Sequence, residues 1–354
     1  MDKALIAMSG GVDSSVAAFL IKESGLDSVG VTLKLHNYGN DVQEENSCCS
    51  RRDIEDAKKV CDKLSIPYHV VNFEDDFDKF VISRFVNGYL NGETPNPCID
   101  CNRYIKFEQM FKIADEMNAK YVVTGHYARI EKDSNNRYLL KKGAFDLKDQ
   151  SYVLYNLTQE KLSRTLFPIG EMKKEDVRKI AVENSFINSS KPDSQDICFI
   201  KDNDYVSFIE KRLGRKFEEG DFVDTKGNVI ARHKGIIAYT IGQRKGLGIA
   251  STEPYYVIDK DIENNKVIIG RMQDQFRKSL VVKDVNLIVF DKLKNDLKCN
   301  VKIRYKHKET PARLIPIEGN RIKVEFSEPQ KAVTKGQSAV FYDGEYVLGG
   351  GTIE

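Results

Sequence analysis

The sequence predicts an α/β N-terminal domain built on a parallel sheet, followed by a small central β domain and a C-terminal β-barrel. Three features predict it. Short apolar runs alternate with amphipathic helical stretches through the first half of the chain. A glycine-rich turn joins the first such run to the first helix. Beyond Phe199, short runs rich in Val, Ile and Tyr are separated by turns such as Asp224-Thr-Lys-Gly-Asn and Tyr342-Asp-Gly-Glu. Strands that alternate with helices imply βαβ units and a parallel sheet covered on both faces.

The apolar run Lys3 to Met8 reads as a strand and Ser14 to Glu23 as the helix after it. Ser28 to Leu35 is a second strand. Arg52 to Leu64 places Ile54, Ala57, Val60, Cys61 and Leu64 at helical spacing. Tyr68 to Phe73 and Tyr121 to Gly125 complete four strands, with helices over Phe77 to Asn91 and Lys106 to Met117 between them. Ligands of such a sheet gather at the carboxyl ends of its strands, where the glycine turn and Thr124-Gly125-His126 both fall. Residues 159–190 read as helical. The domains are set at 1–200 (helical part about 155–195), 201–275 and 276–354, with the last joint near Asp274 to Ser279. The β portion reads as two small barrels.

The chain has 354 residues, a net charge of +2 and 41% hydrophobic residues. These values fit a multidomain protein with real cores, and any basic surface must be local. No apolar run has membrane-span length, and no signal-peptide pattern opens the chain. A cytoplasmic location is expected. Seven cysteines at irregular spacing do not make a disulfide framework.

The turn is Ser9-Gly10-Gly11-Val12-Asp13-Ser14-Ser15. Gly10 and Gly11 let the backbone bring amides close to an anion, and the following helix points its positive end at the same place. Ser9, Ser14 and Ser15 add hydroxyls. Asp13 is placed to hold Mg²⁺ or to cap the helix. The Gly-Lys-Ser/Thr of a phosphoryl-transfer loop is absent, so the loop suits pyrophosphate.

Cys98 and Cys101 stand in TPNPCIDCNRYIKF and Cys198 in KPDSQDICFI. Pro95 and Pro97 argue against helix through the first stretch, which puts Cys101 on a loop or a helix start. A helix N-terminus near Asn102 would lower a thiol's pKa. Structural burial, a zinc site, a persulfide–disulfide pair and a three-cysteine iron–sulfur cluster all remain open here. Cys61 and Cys299 read as core and barrel residues. Cys48 and Cys49 sit in a polar stretch, Asn37 to Arg51, that reads as a loop.

The glycine loop is similar to the PP-loop of N-type ATP pyrophosphatases. With TPNPCIDCNRYIKF, VVTGHYARI, LKKGAFDLKDQSYVLYNL, DSQDICFI, YTIGQRKGLGI, VKIRYKHKETPARL and KGQSAVFYDGEYVLGGGTIE in this order, the chain resembles the tRNA-specific 2-thiouridylases from end to end. That resemblance implies ATP-dependent replacement of the wobble uridine O2 by sulfur, through an adenylated O2 and sulfur carried on cysteine. It implies Cys101 as nucleophile, Cys198 as persulfide carrier and a disulfide between them as sulfide passes to the base. It implies an ATP site of Ala7, Met8, Ser9, Gly10, Gly11, Val12, Asp13, Ser14, Leu33 and Gly125. It implies tRNA contacts at Asn96, Pro97, Cys98, His126, Lys148, Asp149, Gln150, Arg304, Tyr305 and Gln337. The partners implied are the anticodon loop of tRNA and a cysteine desulfurase or sulfur-relay protein.

Cys98 departs from the pattern, since many members carry aspartate there. With Cys101 and Cys198 it completes three thiolates, the number a [4Fe–4S] cluster with one open iron would use, so persulfide and cluster both stay open as sulfur sources. Ser194-Gln195-Asp196 is a second departure. In Val301 to Lys308 the alternation puts Lys302, Arg304, Lys306 and Lys308 on one face of an expected strand, a strip able to track a phosphate backbone. Gln243, Arg244 and Lys245 form a second basic turn. The rival readings are a PP-loop ligase acting on a small molecule and a non-catalytic RNA-binding protein.

Overall fold

The computed structural model describes residues 2–35, 50–193 and 197–354. His36, Cys48, Cys49 and Ser194-Gln195-Asp196 lie outside the described residues. The N-terminal domain opens with β1 (Lys3–Ala7), α1 (Val12–Glu23), β2 (Asp27–Lys34), α2 (Arg51–Lys63) and β3 (Tyr68–Asn72). A long helix over residues 74–90 joins α3 (Glu74–Phe77) to α4 (Ser83–Leu90) through a wider π-helical turn. A second, over residues 97–116, runs from α5 (Pro97–Asp100) through a π-helical stretch (Cys101–Phe107) to α6 (Glu108–Glu116). Then come β4 (Tyr121–Val123), the hairpin β5 (Ala128–Lys132) and β6 (Tyr138–Lys142), α7 (Gln159–Ser163), β7 (Thr165–Leu166) and α8 (Lys174–Glu183).

The sheet runs β3-β2-β1-β4-β7, parallel throughout. Alternate residues of β1 feed opposite cores, as strand geometry requires. Leu5 packs with Phe77, Phe85, Ile105 and Met110 of the two long helices. Ala4 and Ile6 pack with Val16 of α1, Val60 of α2 and Val177 of α8. Strand order reverses between β1 and β4, so the crevice for a ligand opens there. The loop after β1 and residues 124–126 after β4 flank it.

The helical expectation for residues 159–190 is corrected. Two helices flank the two-residue edge strand β7, which pairs with β4. Two residues are too few to show a period of two. The all-β expectation beyond Phe199 is also corrected, because α9 (Tyr205–Leu213) precedes the central sheet, capped by Asp204 and closed by Gly214 in the left-handed region.

The central domain contains β8 (Gly220–Val223), β9 (Val229–His233), β10 (Tyr256–Asp261) and β11 (Lys266–Gly270). Among the described residues they form a four-stranded sheet ordered β10-β11-β8-β9. The C-terminal domain holds β12 (Phe276–Leu287), β13 (Leu297–Lys302), β14 (Thr310–Ile317), β15 (Arg321–Lys331), β16 (Ser338–Asp343) and β17 (Tyr346–Ile353). It closes through the β12–β17 pairing, which makes it a six-stranded barrel.

Strand β6 adds to this barrel from outside the domain. Tyr346 and Val347 of β17 pair with Lys141 and Leu140, so the β5–β6 hairpin and the barrel share one sheet. Arg137 reinforces the seam by donating to the Ile288 carbonyl at 2.6 Å and to Asp291 at 2.9 Å. Leu140 and Val347 are both fully buried at this seam. Leu140→Ala is expected to lower the unfolding free energy by about 2–4 kcal/mol, read from urea denaturation. A loss well under about 1 kcal/mol would contradict packing of the hairpin into the barrel.

Candidate functional site

The glycine loop leaves β1 at Ala7, and α1 begins at Val12 with Gly11 as its N-cap. Gly10 has a φ of 72°, and a Cβ there would stand 2.3 Å from the Asp53 carbonyl oxygen. Only glycine lets the loop lie against the start of α2. Gly125 meets the loop from β4. A Cβ on it would lie 2.7 Å from the Asp13 carbonyl carbon and 2.8 Å from the Ser14 nitrogen. The serines shape the turn: Ser14 Oγ accepts from the Ser9 amide at 3.2 Å and donates to the Gly11 carbonyl at 3.0 Å, as does Ser15 Oγ at 3.0 Å. The first amides of α1 have no acceptor within the helix and point into the crevice mouth. Met8 is bonded to β2 through Val31 and Thr32, and Leu33 is buried near that strand's carboxyl end.

Several groups that sequence reasoning missed surround this loop. Lys174, the first residue of α8, is buried and places Nζ 2.7 Å and 2.9 Å from the two Asp13 oxygens and 2.7 Å from Asp193. Tyr127 donates its hydroxyl to Asp13 at 2.8 Å. Burial, then the Asp13 charge, pushes the Tyr127 phenol well above its ordinary value, so it remains a donor. Asp193 also receives Lys148 at 2.7 Å and Arg178 at 3.2 Å. Partial burial works against its charge, yet the Lys148 and Lys174 hydrogen bonds hold its carboxyl down at about 2. On the other flank Lys191 pairs with Asp53, reaches Asp56 at 3.0 Å and donates to the Gly10 carbonyl at 3.3 Å. Asn188 donates to the same carbonyl and to Ser15 Oγ, each at 2.9 Å. Lys174, Arg178 and Asn188 carry no short motif, while Tyr127, Lys191 and Asp193 stand in VVTGHYARI and KPDSQDICFI without a role assigned by them; the fold brings these residues to the loop from segments more than a hundred positions away.

The cysteine loop departs from expectation. Pro97 does not exclude helix; it starts one. Asn96 is the N-cap, with its side chain accepting from the Cys98 amide at 3.1 Å, and Pro97 takes the first turn, where a missing N–H costs nothing. Cys101 therefore lies one turn inside the helix, buried, at the start of the π-helical stretch, while Cys98 is exposed. Widened turns of this kind recur at functional sites. Cys198 is half-buried. Its neighbour Phe199 rests on Phe77 and Phe85, and the Cys101 helix packs against the π turn between those two phenylalanines. Both cysteine-bearing segments thus lean on one helix. Cys98, Cys101 and Cys198 are not in a disulfide. Among the described residues no group of three His, Cys, Asp or Glu side chains that could hold a metal ion is found. Cys61 and Cys299 are pushed up to about 12, mainly by burial, as unreactive core and barrel thiols should be.

The barrel reaches the cysteine loop directly. Gln337 donates to the Thr94 carbonyl at 2.6 Å, the Thr94 amide donates to Lys335 at 2.9 Å, and a Cβ on Gly336 would press on Glu93 at 2.9 Å. Tyr305 donates to the Asp149 carbonyl at 3.0 Å, and burial, then Asp149 and Cys98, raise its phenol pKa. The expected basic strand over 301–308 is corrected: β13 ends at Lys302, and residues 303–307 bend and turn. Arg304 points inward, donating to the carbonyls of Ile241 and Ala332 and to Thr334. Three ready acceptors inside the protein outweigh the alternation. Tyr305, Lys306 and Lys308 stay exposed, as do Arg244 and Lys245 of the second basic turn. Asp149 is buried and ties the Gly143 and Ser151 amides, and Gln150 accepts from the Tyr127 amide at 2.9 Å. His126 is buried between Phe107 and Phe167, with Nδ1 2.7 Å from the Thr124 hydroxyl.

Comparison with known proteins finds three family matches along the chain. Residues 2–202 match the tRNA methyl transferase HUP domain, residues 206–271 the tRNA methyl transferase PRC-barrel domain, and residues 277–353 the aminomethyltransferase beta-barrel domain. The tRNA-specific 2-thiouridylase MnmA of Clostridioides difficile strain 630 is 52% identical over 353 residues, covering 99% of this chain and 98% of that one. The enzyme of the same name from Acetivibrio thermocellus is 50% identical over 355 residues, covering 99% of each. No helix among the described residues is long and apolar enough to cross a membrane.

Burial, with Lys106 adding to it, lowers the His126 pKa from 6.5 to about 3. The unfolded chain then binds a proton that the folded chain refuses. The stability due to neutral His126 is fully present above pH 6.5 and falls away as pH drops toward 3. Unfolding free energy measured from pH 7 to pH 5 is expected to fall by up to about 1.4 kcal/mol per pH unit for this group. His126→Asn should remove that share of the slope; an unchanged slope would contradict a buried neutral imidazole.

Proposed function

The chain belongs to the tRNA-specific 2-thiouridylase family, and we propose that it performs ATP-dependent 2-thiolation of the wobble uridine of tRNA, with sulfur carried on Cys198. The observation that carries this reading is the junction around Cys98. One short segment, Thr94 to Cys101, starts the helix that bears Cys101 and is bonded to the barrel at Gln337. A small-molecule ligase has no use for a thiol-bearing loop clasped by a barrel. A non-catalytic RNA-binding protein has no use for the glycine loop and its lysines.

The loop amides and the N-terminus of α1 receive the ATP phosphates. Uridine O2 attacks the α-phosphorus, the N3 proton leaves to solvent, and pyrophosphate departs with the electrons of the broken P–O bond. Adenylation turns a poor leaving group into AMP. The terminal sulfur of a Cys198 persulfide then adds to C2, and AMP leaves with the former O2. The Cys101 thiolate attacks Cys198 Sγ, forming a Cys101–Cys198 disulfide and releasing the sulfur to the base. A cytoplasmic thiol reductant returns both cysteines to thiols. A desulfurase or sulfur-relay protein reloads Cys198.

Magnesium on the phosphates would neutralise charge on the leaving pyrophosphate. Asp13 is the loop's own carboxylate, and it now holds Lys174 and Tyr127, so it fits a cation ligand that exchanges one positive partner for another. No step runs through a three-cysteine cluster. Asn96, Pro97, Cys98, Lys148 and Tyr305 are the candidate contacts for the anticodon loop. Arg304, Asp149, Gln150 and Gln337 hold the surface that presents them, and His126 supports the wall beneath.

The test is thiolation of a tRNA transcript with ATP, cysteine and a cysteine desulfurase, followed by mass spectrometry of its nucleosides. Wild type should yield 2-thiouridine. Cys101→Ser and Cys198→Ser should each lower thiolation by about 10³-fold or more while tRNA-dependent ATP–pyrophosphate exchange persists. Asp13→Ala should lose both activities, and Cys98→Asp should keep both. Thiolation that survives Cys198→Ser would overturn cysteine-borne sulfur; loss on Cys98→Asp would give that thiol an essential part.

A further inference from the structure

The glycine loop contains a carboxylate where the common phosphate loop carries a lysine. Asp13 stands in the first turn of α1, where the phosphates must arrive, and an unneutralised carboxylate would repel them. Lys174 supplies the missing positive charge from another element. Its ammonium has three N–H groups, and all three have acceptors: both Asp13 oxygens and Asp193. The position is not incidental. The side chain is 9% exposed, lies 6.0 Å from the Tyr127 ring centroid, and starts a helix packed on α1. Asp193 in turn is fixed by Lys148 and Arg178, so it keeps its hold on Lys174 even if Asp13 lets go.

We infer that Lys174 is the phosphate-binding lysine of the ATP site, and that Asp193 is the positioning residue that retains it. This inference rests on the ATP-dependent reading given above. When ATP arrives with its cation, Asp13 exchanges Lys174 for the cation, and the released N–H turns to the pyrophosphate oxygens. The ammonium is then held between Asp193 and the leaving group. No bond to Lys174 forms or breaks; it offsets the charge that pyrophosphate gains as the P–O bond opens. Because Asp193 also grips Lys148, the same carboxylate links the ATP loop to the turn that carries Lys148-Asp149-Gln150. Lys191, bonded to Gly10 and the α2 acids, anchors the loop from the opposite side.

Equilibrium binding separates a phosphate contact from a merely structural one, because AMP occupies the adenosine site without β- and γ-phosphates. Titration calorimetry of the full chain with Mg·ATP, AMP and inorganic pyrophosphate is the experiment. Lys174→Gln should weaken Mg·ATP and pyrophosphate by about ten- to a hundredfold, the loss of one charge-assisted contact, and leave AMP within about twofold. Lys174→Arg should restore most of the loss. Asp193→Asn should shift Mg·ATP in the same direction by less and raise KM for ATP in pyrophosphate exchange more than it lowers kcat, and Asp193→Glu should rescue it. Equal affinity of wild type and Lys174→Gln for Mg·ATP overturns the inference, as does equal weakening of ATP and AMP. If Lys174→Gln does not fold, Asp193→Asn decides: ATP affinity lowered with AMP unchanged supports the inference, and unchanged ATP affinity overturns it. A wild-type chain that binds neither ATP nor pyrophosphate would sink the ATP-dependent reading itself.

Discussion

Close backbone approach at the glycine loop is the constraint from which the rest of the N-terminal domain follows. Gly10 lies against the Asp53 carbonyl, and Gly125 lies against the backbone of Asp13 and Ser14, at separations that leave no room for a Cβ. The start of α2 and the end of β4 are therefore fixed relative to the start of α1. Asn188 and Lys191 close the remaining side by donating to the Gly10 carbonyl. The turn is thereby clamped by strands, helices and a distant loop. An anion site built from amides gains from such rigidity, since preorganised donors need not reorder when charge develops. The positive charges come from Lys174, Lys191, Lys148 and Arg178, all outside the motif, and each is tied to a carboxylate.

The second organising feature is continuity between the nucleotide domain and the barrel. Strand β6 pairs with β17, so a hairpin of the first domain extends the sheet of the last. Gln337, Tyr305 and Arg304 then pin the loops around that seam. The thiol-bearing segment is bonded to the barrel as well as built into its own helix. A base flipped from an RNA loop has to reach one defined point, and positioning of this quality is what shared sheet and buried hydrogen bonds provide. Under the proposed function, exposed Tyr305, Lys306 and Lys308 are candidates to offer an aromatic face and charge to RNA.

Much of this was legible in the sequence. The parallel sheet, the glycine turn at the end of β1 and the β character of the C-terminal part all have local signals: period, glycine spacing and turn chemistry. What was not legible depends on tertiary partners. Strand β7 has two residues and exists because β4 offers an edge. Pro97 reads as a helix breaker until the helix is seen to begin at it, with Asn96 as cap. The alternation in Val301 to Lys308 mimics a strand, yet Arg304 finds three acceptors inside and the chain turns. Lys174 and Asn188 carry no motif, Lys191 and Asp193 stand in KPDSQDICFI without a role that the motif assigns, and the importance of all four comes from being brought to one loop. The cysteines were found by motif, but only the fold distinguishes buried Cys101 from exposed Cys98.

In the proposed reaction ATP is spent to turn the uridine oxygen into a leaving group. Oxygen tracing tests it directly. A tRNA carrying ¹⁸O at O2 of the wobble uridine is thiolated, and the AMP released is examined by mass spectrometry. Adenylation of O2 predicts that each AMP formed with 2-thiouridine carries one ¹⁸O in its phosphate. Unlabelled AMP, or ADP and phosphate in its place, would contradict the account.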